Sequence, residues 1–236
     1  MKLGIMQPYF FPYLGYWQLM NAVDDYVIYD DVNFIKGGRI NRNAVLMNGS
    51  PSNINLILNG ASPNKLINEV QVKNDPLPKT KLIKTLEACY GRAPYFKQVM
   101  PLLENVILQD EENLPKYLRH SFEVVGGYLG ISTNLIMSSE LDKDCSLKGY
   151  KKVIEICKLF GATEYYNSVN GIPLYEPHRE EFEREGIQLC FPKMRDISYP
   201  QYKNKFVPNL SIIDVMMFNS QDACKDLLLE YDLVKE

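Results

Sequence analysis

Residues 2–31 read KLGIMQPYFFPYLGYWQLMNAVDDYVIYDD, and this stretch decides the fold. Residues 2–6 are a short apolar run that fits a buried strand. Residues 14–23 carry apolar side chains at helical spacing. Residues 25–31 fit a second strand, with Val27 and Tyr29 opposing Tyr26 and Ile28. Strand, helix, strand in close succession is the opening of a β-α-β unit. Further along, residues 53–58 (NINLIL) are β-like and residues 68–72 (NEVQV) alternate at period two. Asn74-Asp75 before Pro76 marks a helix start, and Leu82, Ile83, Leu86, Cys89 and Tyr90 then recur at helical spacing until Gly91. Residues 94–108 and 113–129 predict two further helices. Residues 134–139 (NLIMSS) predict a strand, and an apolar stripe from Tyr150 to Phe160, stopped by Gly161, predicts a helix. Strands follow at 163–167 and 187–192, separated by a helix at 176–185, and residues 210–218 and 224–231 predict closing helices. The pattern predicts one α/β domain over residues 1–236. Its parallel, Rossmann-like sheet is flanked by helices and interrupted by a mainly helical insertion around 75–130.

Composition narrows the function classes. The length of 236 residues suits one core, since cores stop growing near ~250–300 residues. Hydrophobic content of 46% and charged content of 23% are ordinary for a globular chain. A net charge of −3 argues against nucleic acid as the main partner. No apolar run approaches ~18 residues, so no membrane insertion is expected. No signal-like segment opens the chain, and a cytoplasmic location is the expectation. The five cysteines are scattered without a Cys-x-x-Cys pair, which suggests neither a disulfide framework nor a metal site and reads them as core fillers. His120 and His178 fall in helical segments with no catalytic pattern around them and read as surface or lining residues.

The candidate site starts where the first strand ends. Ligands of parallel α/β sheets sit outside the C-terminal strand ends. Gln7, Tyr9, Tyr13, Gly15 and Tyr16 lead from that end into the first helix, whose unpaired N–H groups could face a phosphate. A strand-to-helix turn packed with aromatics is the competing reading. Asp30 and Asp31 end the second strand, where a carboxylate can act as base, orient an amine or hold Mg²⁺. Strand alternation would place one of the pair in the cleft and one away from it. Lys36 and Arg42 could bind phosphates, and Asn41 and Asn43 flank them, although a solvated charged hairpin accounts for the same residues. Ser138 and Asn167 end two later strands. Ser138-Ser139 reads equally as a helix cap, as does Ser211 with Asp214. Tyr199, Gln201 and Tyr202, in a loop, could stack on and hydrogen-bond a base or sugar.

The blocks "IMQPYFFPYLGYWQLMNAVDDYVIYDDVNFIKGG" and "INRN", the shorter "APYF", "SSEL" and "EYYN", and the closing "YPQYKNKFVPNLSIIDVMMFNS" resemble the WbqC-like family of bacterial proteins. Members occur among genes for O-antigen and other surface polysaccharides. The resemblance implies a transferase of an aminoacyl or acyl group, glycine-like, onto the amine of a nucleotide-linked amino sugar. By motif position it covers Gln7, Pro8, Tyr9, Pro12, Tyr13, Gly15, Tyr16, Asp30, Asp31, Lys36, Asn41, Arg42, Asn43, Tyr199, Gln201, Ser211 and Asp214. Arg39 stands where an aromatic is common, Ala44 where a basic residue is, and NSVNG replaces an Asn-Pro-x-Gly-Gly turn. Tyr13-Leu14-Gly15-Tyr16 is also similar to the His-x-Gly-His part of the nucleotidyltransferase and pantothenate synthetase motif. Tyrosines replace both histidines, and a neutral phenol donates a hydrogen bond but brings no positive charge. The resemblance leaves the cofactor open, with ATP and Mg²⁺ as candidates and Asp30, Asp31, Lys36 and Arg42 as the catalytic set. The alternative is a non-catalytic nucleotide or nucleotide-sugar binding protein.

Overall fold

In the computed structural model, which describes residues 1–203 and 205–235, the opening unit forms as β1 (Lys2–Met6), α1 (Leu14–Asn21) and β2 (Asp25–Ile28). Gly4 is what lets α1 lie close to the sheet. A Cβ there would sit 2.9 Å from the Tyr26 ring and 3.1 Å from Leu19, a close approach that only glycine allows in a strand. An antiparallel hairpin follows, β3 (Arg42–Met47) and β4 (Ser50–Asn55). Asn48 and Gly49 close it at φ of 52° and 76°, the backbone that a two-residue hairpin turn requires. A second short antiparallel pair is β5 (Leu58–Asn59) with β6 (Gln71–Val72).

Three helices then pack together: α2 (Pro76–Tyr90), α3 (Phe96–Leu108) and α4 (Leu114–Leu129). Asp75 and Asn113 cap α2 and α4 by accepting from Leu77 N and Lys116 N, satisfying amides that have no partner inside the helix. The chain returns to the sheet as β7 (Asn134–Met137), α5 (Tyr150–Leu159) and β8 (Glu164–Tyr166). Two short helices, α6 (Ile172–Tyr175) and α7 (Arg179–Arg184), lead to β9 (Gln188–Met194). The chain finishes with α8 (Ile212–Phe218), α9 (Gln221–Leu227) and β10 (Tyr231–Val234).

The central sheet has the order β10-β9-β8-β1-β2-β7. Every pairing is parallel except that of the edge strand β10 with β9. This is a mostly parallel, Rossmann-like α/β sheet flanked by helices. The strand order reverses at β1, so the crevice between β1 and β8 is the switch point where such sheets bind ligands. Side-chain alternation divides the core. Leu3, Ile5, Val27, Tyr165 and Leu189 pack under α5 and Phe182 on one face. Tyr26, Ile28, Tyr166 and Cys190 belong to the larger cluster on the other, with Trp17, Phe122 and the apolar residues of the hairpin and of α2, α3, α4 and α8.

Several local expectations are corrected. Residues 224–231 do not form one helix: α9 ends at Leu227 and Tyr231–Val234 adds a strand. Four residues with both sheet-edge and helix-face spacing carry no periodicity strong enough to decide. Arg42–Met47, for which the sequence predicts no strand, forms one because Asn48-Gly49 folds it onto β4. NINLIL breaks at Leu56, and NEVQV is a 3-10 turn at Ile67–Glu69 with only Gln71–Val72 extended. The helix expected over 176–185 is a 3-10 turn, Glu176–His178, followed by α7. Cys145 is exposed, unlike the other four cysteines.

Candidate functional site at the C-terminal edge of the sheet

β8, β1, β2 and β7 are neighbours, so the residues just after them line one edge: Asn167, Gln7, Tyr29-Asp30-Asp31 and Ser138-Ser139. At the usual strand spacing this row spans ~14 Å. Tyr29 N donates to Met6 O (2.8 Å), which holds the β1 and β2 exits side by side.

The two aspartates part company just past β2. Asp30 is buried, with 1% exposure, and binds the β7 exit at two points. Its carboxylate accepts from Ser139 N at 2.9 Å and from the Ser139 hydroxyl at 2.6 Å. Burial raises the Asp30 pKa; the Ser139 bonds oppose this without cancelling it. Ser139 itself is an exposed residue, so the buried carboxylate has its hydroxyl partner on a surface residue at the strand ends. Asp31 has other partners. Its Oδ2 lies 2.9 Å from Lys143 Nζ and 2.8 Å from Lys152 Nζ, both on largely buried side chains. Lys152 also donates to Asp31 O (2.9 Å) and sits over the Tyr29 ring at 5.1 Å. Lys143 donates to Ser138 O. Burial would raise the Asp31 pKa, but Lys152, Lys143 and Ser138 outweigh it and hold the group below the usual carboxylate value. Asp31 is therefore a poor proton acceptor, and Asp30, reached through Ser139, is the better one.

The tyrosine turn is held from outside. Phe11 stands at φ 41°, uncommon for a bulky residue. Asn43 Nδ2 donates to Phe10 O and Phe11 O (3.2 and 2.7 Å), and Ser211 Oγ to Phe11 O (2.8 Å). Trp17 Nε1 and Ile212 N both reach Pro12 O. Tyr16 is fully buried and donates to Gln7 O at 2.9 Å. Tyr13 ends at the start of α1, which has no side-chain cap. Its ring occupies the space in front of Gly15, where a Cβ would come within 2.7 Å of it. Tyr9 and Tyr13 remain half-buried. Burial raises their phenol pKa values, and the positive charge of Arg39 partly offsets this, so both are neutral donors at pH 7.

Arg39 is the cation beside this turn. Its backbone O accepts from Phe10 N and its Nη1 donates to Asn43 Oδ1 (3.1 and 3.3 Å). Arg42 turns back on its own loop, donating to Gly38 O (3.0 Å) and Gly37 O, and Lys36 is exposed. Asn41 ties the loop to Leu56 O (3.0 Å). Asn167 spans the β1–β8 crevice, donating to Ile5 O (3.2 Å) and to the Tyr165 hydroxyl (2.6 Å). Ser138 is buried beneath this edge.

The last block packs against the tyrosine turn, where Tyr199 lines a small pocket with Tyr13, Leu14 and Met194. Buried Asp214 accepts from Tyr90 (2.9 Å), Tyr199 (2.8 Å) and Gln201 (2.6 Å), and Gln201 also brackets Val207. Ser211 caps α8. These residues join the closing loop to α2 and α8. Tyr202 is anchored elsewhere, donating to Cys89 O at 2.9 Å. His120 bonds Asn105 on the helical side (2.9 Å), and His178 stacks on Tyr150 at 3.7 Å. Among the described residues no three His, Cys, Asp or Glu side chains gather as metal ligands, and no helix is long and apolar enough to cross a membrane.

Sequence reasoning missed Ser139 as the partner of Asp30, the two lysines on Asp31, and Arg39 as the cation near the tyrosines. Arg39 alone carried a signal, since it departs from the aromatic common at its position.

Comparison with known proteins agrees with the motif reading. The match to the WbqC-like protein family covers residues 7–226, so the chain belongs to that family. An uncharacterized protein of Mycobacterium tuberculosis is 27% identical over 235 residues, covering 96% of this chain and 97% of that protein. No solved structure matches significantly.

Proposed function

We propose, with membership of the WbqC-like family as the premise, that the chain is an enzyme of bacterial surface-polysaccharide (O-antigen) biosynthesis. In this reading it transfers an aminoacyl or acyl group, glycine-like, to the amine of a nucleotide-linked amino sugar. The observation that carries it is the hydroxyl of Ser139, an exposed residue, bonded at 2.6 Å to the buried Asp30 carboxylate. As the sugar amine attacks the acyl carbonyl, an amine proton passes to Ser139 Oγ while the Ser139 proton moves to Asp30 Oδ2. The leaving group of the donor departs with its bonding electron pair. A raised pKa suits Asp30 to receiving that proton. Arg39 and the phenols of Tyr9 and Tyr13 supply a cation and two neutral donors for the phosphates at the start of α1. Asp31 positions the edge through Lys143 and Lys152 rather than entering the chemistry. ATP with Mg²⁺ would activate a free carboxylate donor.

One observation favours a second reading, a non-catalytic nucleotide-sugar binding protein. Tyr16 stands at one of the two histidine positions of the nucleotidyltransferase-like motif and is buried and bonded to Gln7 O. The test is mass spectrometry of the protein incubated with a panel of nucleotide-linked amino sugars, glycine and ATP. The transferase reading expects an acylated sugar nucleotide that disappears when any component is left out. Tight sugar-nucleotide binding with no product across the panel supports the second reading instead.

A further inference from the structure

A further hollow lies away from the strand ends. About 720 Å³ lies between the β3–β4 turn and the C-terminal end of α2, lined in part by Leu46, Met47, Cys89, Arg92, Tyr202 and Lys203. A shallower hollow of about 490 Å³ shares Met47 and Ala88 with it and adds Lys81 and Lys84. The two share a wall and form one groove along α2. Its floor is apolar and aromatic, and its charged side chains are all basic. No carboxylate among the described residues lines either part; Glu87 of the same helix is in neither lining. The Arg92 guanidinium carbon lies 5.9 Å from the centre of the Tyr202 ring. The hydroxyl bond to Cys89 O and an edge-on contact with Phe218 at 4.8 Å hold that ring in place.

We infer that this groove is a second ligand site, for a nucleoside di- or triphosphate. A planar base suits the guanidinium of Arg92, which lies over the anchored Tyr202 ring. The phosphates suit cations with no acid in the lining. The larger hollow, about 720 Å³, falls within the ~300–1,000 Å³ of small-molecule sites. The inference stands on this groove alone and does not depend on the chemistry at the strand ends.

Calorimetry with ADP and with inorganic pyrophosphate, at low and at physiological salt, tests it. The variants are Arg92→Ala, Lys84→Ala, Lys203→Ala and Arg39→Ala, each checked by its melting curve. The groove predicts that ADP binds more tightly than pyrophosphate and that Arg92→Ala and Lys203→Ala weaken ADP by ~10-fold, as lost stacking and charge attraction would. Lys84→Ala lowers affinity mainly at low salt, and any ADP held at the strand ends appears as a second binding event that Arg39→Ala removes without touching the first. Three results overturn it: no ADP binding by the parent protein, ADP binding lost only in Arg39→Ala, or unchanged ADP affinity in the groove variants. A change of sedimentation state in those variants without a change in ADP affinity shows the groove to be an interface between protein copies, and also overturns it. Absence of transfer product with groove binding intact counts against the proposed function alone.

Discussion

The adjacent aspartates carry opposite physical roles. Asp30 has a raised pKa and one exposed hydroxyl partner; Asp31 has a lowered pKa and two lysines. Asp31→Asn leaves both ammonium groups facing an amide. The loss is expected near ~3 kcal/mol, the low end for breaking a buried ion pair, since the carboxylate is 13% exposed. The pH dependence has a definite sign. A folded pKa below the unfolded value of ~3.9 gives stability that is present above that pH and lost as pH falls through the folded value. The melting difference between parent and Asp31→Asn is therefore largest near neutrality and shrinks as pH falls below ~3.9 and on through the folded value; a difference constant with pH contradicts the assignment. Arg39→Ala is expected to weaken sugar-nucleotide binding, most at low salt, and more than Lys36→Ala or Arg42→Ala; calorimetry on the three variants reads the order. The aspartate pair was legible in the sequence because it follows an apolar strand. Its partners were not, since Ser139 lies 109 positions and Lys152 121 positions away.

Among the elements, the hairpin, α8 and the tyrosine turn form one support. Asn43 on β3 and Ser211 at the start of α8 together hold the Phe10 and Phe11 carbonyls. In Asn43→Ala the Phe11 carbonyl keeps Ser211, but the Phe10 carbonyl loses its side-chain donor. The expected cost is ~1–3 kcal/mol for an unpaired buried acceptor, read by denaturant unfolding, together with weaker sugar-nucleotide binding as the turn relaxes. Loss of stability without loss of affinity would separate the hairpin from the site. Tyr199→Phe removes one of the three side-chain donors on Asp214. A loss of ~1–2 kcal/mol with affinity unchanged is expected, because the Tyr199 hydroxyl is committed to Asp214. The motif positions Asn43, Ser211 and Asp214 were visible in the sequence as special residues. That they brace the turn and the closing loop was not, because bracing and binding ask for the same polar side chains. The strand carrying Asn43 was hidden by the charged, glycine-containing run before it.

For the whole molecule, the parallel sheet could be read from the spacing of apolar runs, and its switch point between β1 and β8 then fixed where ligands belong. The antiparallel β10 was not readable, since a four-residue edge strand takes its conformation from pairing with β9 rather than from its own pattern. The fold brings Asn167, Gln7, Asp30 and Ser139 to one edge, but chemistry there depends on whether the Ser139–Asp30 pair moves a proton. Turnover of a nucleotide-linked amino sugar by parent and Ser139→Ala, set beside calorimetric affinity for the same sugar nucleotide, measures this directly. The account predicts that Ser139→Ala lowers product formation by ~100-fold or more, the range of a lost proton-transfer group, while affinity stays within a few fold and the fold is retained. Undiminished turnover in Ser139→Ala would contradict it.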